Sequence, residues 1–154
     1  MRNLNVARPL NTSPDSKSEQ SRHLKAPARK DVRINWKAFR YYPQLNKVYF
    51  YVSEHPQESL TLQKAAGIAA MARNYFSVFF HRNTGVTFKY WVDLYRVKRA
   101  IGLLRSSNMQ IIEVALDCGF ADATTFTRTF RRIKGLSPRE FRRRNKPRQS
   151  SIQH

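Results

Sequence analysis

Residues 111–144 read IIEVALDCGFADATTFTRTFRRIKGLSPREFRRR, and this stretch constrains the fold more than any other. Ile111, Val114, Ala115 and Cys118 recur at helical spacing, so they share one buried face. Gly119-Phe120 then breaks the period, and Asp122 stands where an N-cap is needed. A second helical pattern follows, with Phe126, Phe130 and Ile133 facing inward and Thr124, Thr127 and Arg128 facing out. Ser137-Pro138-x-Glu140 is a capping box with Pro at the first helical position, and it starts a helix that ends in an arginine run. Two short helices across a tight turn form a helix-turn-helix, whose second helix has the geometry to enter a DNA major groove.

The helical period extends upstream. Pro43 suits a helix start; Leu45, Val48, Tyr49 and Val52 lie on one face, and the segment stops before Pro56. Helices are expected after Thr61 (Leu62, Ala65, Ala66 and Ala69 inward), over about 73–82 (Phe76, Phe79 and Phe80 inward) and over about 88–105, capped by Thr87. The last of these presents Phe88, Trp91, Val92, Tyr95, Ala100, Leu103 and Leu104. Alternation is absent except for a weak signal over Val48–Val52. The fold class is therefore all-α, with about seven helices.

The chain repeats itself. Phe76-x-x-x-Phe80 aligns with Phe126-x-x-x-Phe130, Ala66 with Ala115, and Thr84-Gly85 with Lys134-Gly135. Two helix-turn-helix units are thus joined by one long linker helix. A linker of about 17 residues is roughly 25 Å long. It can hold two reading helices about one turn of DNA, near 34 Å, apart. One chain then does what other helix-turn-helix proteins do as dimers, and its site need not be palindromic.

Charge points to the same partner. There are 29 Lys and Arg against 10 Asp and Glu, a net of +19. Neutralising phosphates with such an excess releases condensed counterions, which favours a polyanion. Both parts of the chain contribute: residues 1–43 carry 10 basic against 3 acidic groups, and residues 44–154 carry 19 against 7. Double-stranded DNA is the expected partner. The lone cysteine, Cys118, forbids an internal disulfide and reads as a small core residue. His23, His55, His81 and His154 match no zinc spacing, and no phosphate-binding glycine motif or acid–base pair of carboxylates is present, so neither metal, cofactor nor enzymatic chemistry is expected. No apolar run suggests a membrane span or a signal peptide. A cytoplasmic, nucleoid-associated protein is expected.

Residues 1–43 read as a basic arm. Its first 32 residues lack periodicity and large apolar groups, and are expected to be disordered. Residues 33–43, RINWKAFRYYP, leave two readings open: packing of Ile34, Trp36, Phe39 and Tyr42 onto the domain, or an exposed partner site. The DNA-binding domain spans 44–145, and 146–154 form a flexible tail.

The motifs resemble the DNA-binding domain of the AraC/XylS family. The resemblance covers about residues 44–144. It rests on Phe88-x-x-Trp91-Val92-x-x-x-Arg96-Val97-x-x-Ala100-x-x-Leu103-Leu104 and on Ile111-x-Glu113-Val114-Ala115-x-x-x-Gly119-Phe120. The latter leads into Phe126-x-Arg128-x-Phe130-Arg131-Arg132-x-x-Gly135-x-Ser137-Pro138-x-x-Phe141-Arg142. The resemblance implies a bacterial transcription regulator, most often an activator touching RNA polymerase. Its closest analogy is to the small stand-alone members, with control by abundance or by a protein partner.

By position, Arg73, Asn74, Ser77 and Val78 should face the bases from the first unit, and Ala123, Thr124, Thr127 and Arg128 from the second. Arg128 suits guanine and Asn74 suits adenine. Arg82, Lys89, Arg131, Arg132, Lys134, Arg142 and Arg143 are the expected phosphate contacts, joined by Arg144, Lys146 and Arg148 toward the tail. Val78 departs from the family, whose small members often carry Arg there. Arg96, among apolar neighbours, is expected in a structural ion pair.

The two units obey local rules unequally. Ala70 stands where the family usually has Gly, and a positive φ there would cost about 1–2 kcal/mol. Ala72 replaces a cap, Gly67 weakens its helix, and Lys64 faces the helix dipole unfavourably. The second unit is expected to anchor the protein and the first to contribute less readout. Two other readings are a general nucleic-acid binder with a degenerate motif, and an interaction protein acting through Trp36, Phe39, Tyr41 and Tyr42.

Overall fold

The computed structural model describes residues 32–145, so the expected disorder of residues 1–31 and the flexible tail lie outside the described residues. Within them the chain is all helical. The helices are α1 (Lys37–Tyr41), α2 (Pro43–Glu54), α3 (Leu62–Ile68), α4 (Arg73–Thr84), α5 (Phe88–Ser106), α6 (Ile111–Asp117), α7 (Ala123–Lys134) and α8 (Pro138–Asn145).

This is one helix more than the sequence suggests. The addition, α1, is too short for its periodicity to register, and it forms because Ala38 and Phe39 are buried. Phe39 stacks on Trp91 at 5.1 Å between ring centroids and meets Phe80 edge-on at 5.8 Å. The segment before it is also tied down: the Asn35 N–H donates to the Thr84 carbonyl at 2.9 Å. The ordered fold thus starts before Pro43, and residues 33–43 pack onto it. Trp36 and Tyr41 nevertheless remain 54% and 77% exposed.

Two cores form at opposite ends of α5. Its first half gives Phe88, Trp91 and Val92 to a cluster with Leu45, Val48, Ala66, Phe76 and Phe80. Its second half gives Val97, Ala100 and Leu104 to a cluster with Val114, Phe120, Phe126, Phe130 and Phe141. At 19 residues α5 is about 28 Å long, enough to serve both.

The repeat holds down to the backbone. Phe76–Phe80 and Phe126–Phe130 are both fully buried ring pairs, with centroids 5.7 and 5.6 Å apart. Gly85 and Gly135 end α4 and α7 with φ of 83° and 82°. In both turns an amide reaches back five residues, Met71 N–H to Ala66 at 2.9 Å and Phe120 N–H to Ala115 at 3.0 Å. The residue at the bend is left-handed in each: Gly119 at φ 80° and Ala70 at φ 54°.

Candidate nucleic-acid interface

The second reading helix is well started. The Asp122 carboxylate accepts from the Thr125 N–H at 2.7 Å and from its hydroxyl at 2.9 Å, and these bonds hold its pKa below the usual carboxylate value. Ser137 and Glu140 close a reciprocal capping box on α8, at 2.7 and 3.2 Å. The backbone N–H of Ser137, bonded to Glu140, likewise lowers that carboxyl's pKa. Glu113, which the sequence reading did not single out as a cap, accepts from the Gln110 N–H at 2.6 Å.

These caps set the walls of a groove of about 1010 Å3 between α6, α7 and α8. Thr124, Thr127 and Arg128 line it together with Ala123, so all four expected base-facing positions of this unit share one surface. Arg131, Arg142 and Arg143 line it too, as does Arg139, which sequence reasoning passed over. Arg142 is notable because its Nε and Nη2 are buried without a hydrogen-bond partner. A buried donor left unsatisfied costs about 1–3 kcal/mol.

The first unit differs. Arg73, Asn74, Ser77 and Val78 are exposed on α4, and Val78 is 67% exposed. Ala72 provides no side-chain cap. Ser77 lines a groove of about 430 Å3, which it shares with Thr61, Lys89, Asp93 and Arg96. Lys64, expected to oppose its helix dipole, is instead held by Glu58 at 2.6 Å, and Glu58 also accepts from the Tyr51 hydroxyl at 2.5 Å. The bond from Lys64 is the main reason the Glu58 pKa is lowered.

The expected phosphate contacts fall into groups. Arg82 and Arg143 are exposed. Arg132 binds the carboxylate of Asp93 at 2.6 Å, and Lys89 approaches the same oxygen at 3.5 Å. Asp93 is only 4% exposed, so this pair is a strut between α7 and α5. Lys134 sits at the other side of α5, beside Ile101 and Ile133. Arg144 is exposed, while Lys146 and Arg148 lie outside the described residues.

Arg96 corrects an expectation. Among the described residues it makes no ion pair; it donates to the Glu58 carbonyl at 3.2 Å and lies over the Phe120 ring at 5.6 Å. Burial pushes its pKa down. It is structural, but it joins a loop of the first unit to the turn of the second. Two further contacts, both missed from sequence, do the same. Gln57 donates to Asp117 at 2.7 Å, and Arg99 binds the other oxygen of Asp117 at 2.8 Å. Arg99 is the main cause of that carboxyl's lowered pKa, helped by Gln57. Cys118 is fully buried, which pushes its thiol up to about 11 and keeps it protonated. No group of three or more metal-ligating side chains occurs among the described residues, and no helix there is long and apolar enough to cross a membrane.

Two helix-turn-helix units on a shared helix define a class of DNA-binding module. A family model described as a helix-turn-helix domain matches residues 65–144, just over half of the chain. The chain belongs to the AraC/XylS family of helix-turn-helix transcription regulators. It is 32% identical over 93 residues to the uncharacterised regulator YijO of Escherichia coli K12, covering 60% of this chain and 33% of that protein. It is 31% identical over 99 residues to the transcriptional activator RhaS of Escherichia fergusonii, covering 64% and 36%. The chain therefore spans about a third of the length of these relatives. Among solved structures it resembles the DNA-binding domain of AdpA bound to target DNA, at 33% identity and TM-score 0.63, over 66% of this chain and 91% of that one. It also resembles the C-terminal domain of the response regulator AraT of Geobacillus stearothermophilus, at 25% identity and TM-score 0.66, over 73% and 93%.

Proposed function

We propose that the chain binds duplex DNA in a sequence-specific way, reading two successive major-groove segments as a monomer, and activates transcription by contact with RNA polymerase. The observation that carries the DNA reading is the arginine-lined groove of the second unit. It places Thr124, Thr127 and Arg128 beside Arg142, whose buried nitrogens lack acceptors. A phosphate oxygen would satisfy those nitrogens once the Arg142 side chain turns outward from its buried position, while Arg128 reaches a base edge. Support for activation comes from the relative described as an activator.

The second unit anchors and the first tunes. Its reading helix has an N-cap and an arginine-rich groove, whereas α4 has neither. Arg128→Ala should weaken binding to a cognate site by about 1–3 kcal/mol and relax the preference at one base pair. Asn74→Ala should lose markedly less, and equal losses would sink the asymmetry. Arg142→Ala should weaken all sequences alike and reduce the slope of log K against log salt by about 1. An unchanged slope would remove Arg142 from the phosphate path.

A further inference from the structure

A second groove, of about 630 Å3, lies between α5 and the C-terminal end of α7, with Trp36 among its lining residues. Its apolar surface includes Leu94, Ile101 and Ile133 beside Trp36, and Lys98, Arg99 and Lys134 line it as well. At 100° per residue, Leu94, Lys98 and Ile101 lie roughly 80–140° around α5 from Asp93, and Gly102 about 180°. Asp93 itself shares a groove with Ser77 of the first reading helix and binds Arg132 of the second. The groove with Trp36 shares no lining residue with the groove of Thr124 and Arg128 or with that of Ser77.

Three observations make it a candidate docking surface. Trp36 is 54% exposed although its neighbour Phe39 is in the core, and exposed tryptophans are typical anchors of protein interfaces. Gly102 sits within α5, where glycine costs about 1 kcal/mol relative to alanine. A Cβ at Gly102 would meet nothing within 4 Å, so the fold does not require glycine there. A glycine on a groove wall does allow close approach by another backbone. The third observation is charge. No carboxylate lines the groove, and its charged groups are Lys98, Lys134 and Arg99, the last already paired with Asp117.

We propose that this groove docks an acidic amphipathic helix of a partner protein while the reading helices are on DNA. Apolar side chains of that helix seat on Leu94, Ile101 and Ile133, and its carboxylates meet Lys98 and Lys134. Charge argues against the other occupants. Residues 1–31 carry 7 basic against 3 acidic groups, the same sign as these lysines, and a second copy brings a further +19.

The test uses the full chain with 5-fluorotryptophan, loaded on duplex DNA so that the reading face is occupied. The two tryptophans differ, Trp91 being fully buried and Trp36 exposed, so their fluorine resonances separate. The probe is a synthetic helical peptide with leucines on one face and glutamates on the other; its control has every glutamate replaced by glutamine. The acidic peptide should shift the Trp36 resonance and leave Trp91 in place. The glutamine peptide and the double variant Lys98→Glu, Lys134→Glu should each weaken binding by about tenfold, as expected for losing two ion pairs and adding repulsion. Equal binding of both peptides, an unchanged affinity in the lysine variant, or no shift at Trp36 would overturn the proposal. So would displacement of the peptide by DNA, or a dimer that the lysine variant dissociates. DNA binding is read separately in the same samples, so failure of the docking site is distinct from failure of the DNA reading.

Discussion

Gly119→Ala probes how the two units are held together. Gly119 has φ +80°, and a Cβ there would lie 2.8 Å from the Pro56 carbonyl oxygen and 3.3 Å from Arg96 Nε. Two effects add. The left-handed backbone costs a non-glycine residue about 1–2 kcal/mol, offset by about 0.4–1 kcal/mol because alanine restricts the unfolded chain. The approach to Pro56 forces the loop outward, an overpacking penalty of about 1–3 kcal/mol. Gly85→Ala is the control, since Gly85 has φ +83° but its Cβ would meet only the Arg33 carbonyl, at an ordinary 3.4 Å. Gly119→Ala should therefore be less stable than Gly85→Ala by about 1–3 kcal/mol, or about 4–12 °C in a melt followed by circular dichroism. The displaced loop also carries Gln57 and Glu58, which hold Asp117 and Arg96 of the neighbouring elements. Equal melting of the two variants would refute the idea that close approach of the loop, rather than φ alone, selects glycine at 119.

Two other predictions follow from backbone and charge. Ala70→Gly relieves φ 54° and should stabilise the fold by about 0.5–1 kcal/mol, a gain left after the added freedom of the unfolded chain; a lower melting temperature would show that Ala70 is unstrained. Acid should destabilise. Glu58, Asp117, Asp122 and Glu140 all have lowered pKa values, so their contribution is complete above the unfolded carboxylate range near pH 4 and is lost as pH falls through the lower folded values. The urea midpoint should be flat from about pH 6 to 5 and fall below about pH 4, less steeply in Asp122→Asn. A midpoint that rises on acidification would contradict this.

The features legible in the sequence were local ones. Asp122 and Thr125 are three residues apart, as are Ser137 and Glu140, so capping chemistry is visible in a short window. The left-handed turn at Ala70 was legible through the resemblance, since the family usually has Gly at that position. The contacts that fix one unit against the other were not. Asp93 and Arg132 are 39 residues apart, Gln57 and Asp117 are 60, and Arg96 reaches 38 residues to a backbone carbonyl that has no side-chain signature. A signal did exist for Asp93, an acid directly after Trp91-Val92 in a buried helix, where an unpaired carboxylate would be costly. For α1 there was none: five residues span little more than one helical turn, and Phe39 declares its role only when Trp91 and Phe80 surround it.

Selection of binding sites from a random duplex pool at about 0.15 M salt, where contacts to phosphate alone are weakened, tests the central claim most directly. Two reading helices on one linker predict an asymmetric motif of two blocks about one helical turn apart, with the stronger block bound by the second unit. A pool that emerges with no enriched sequence, or with a palindrome read by two copies, would contradict the account.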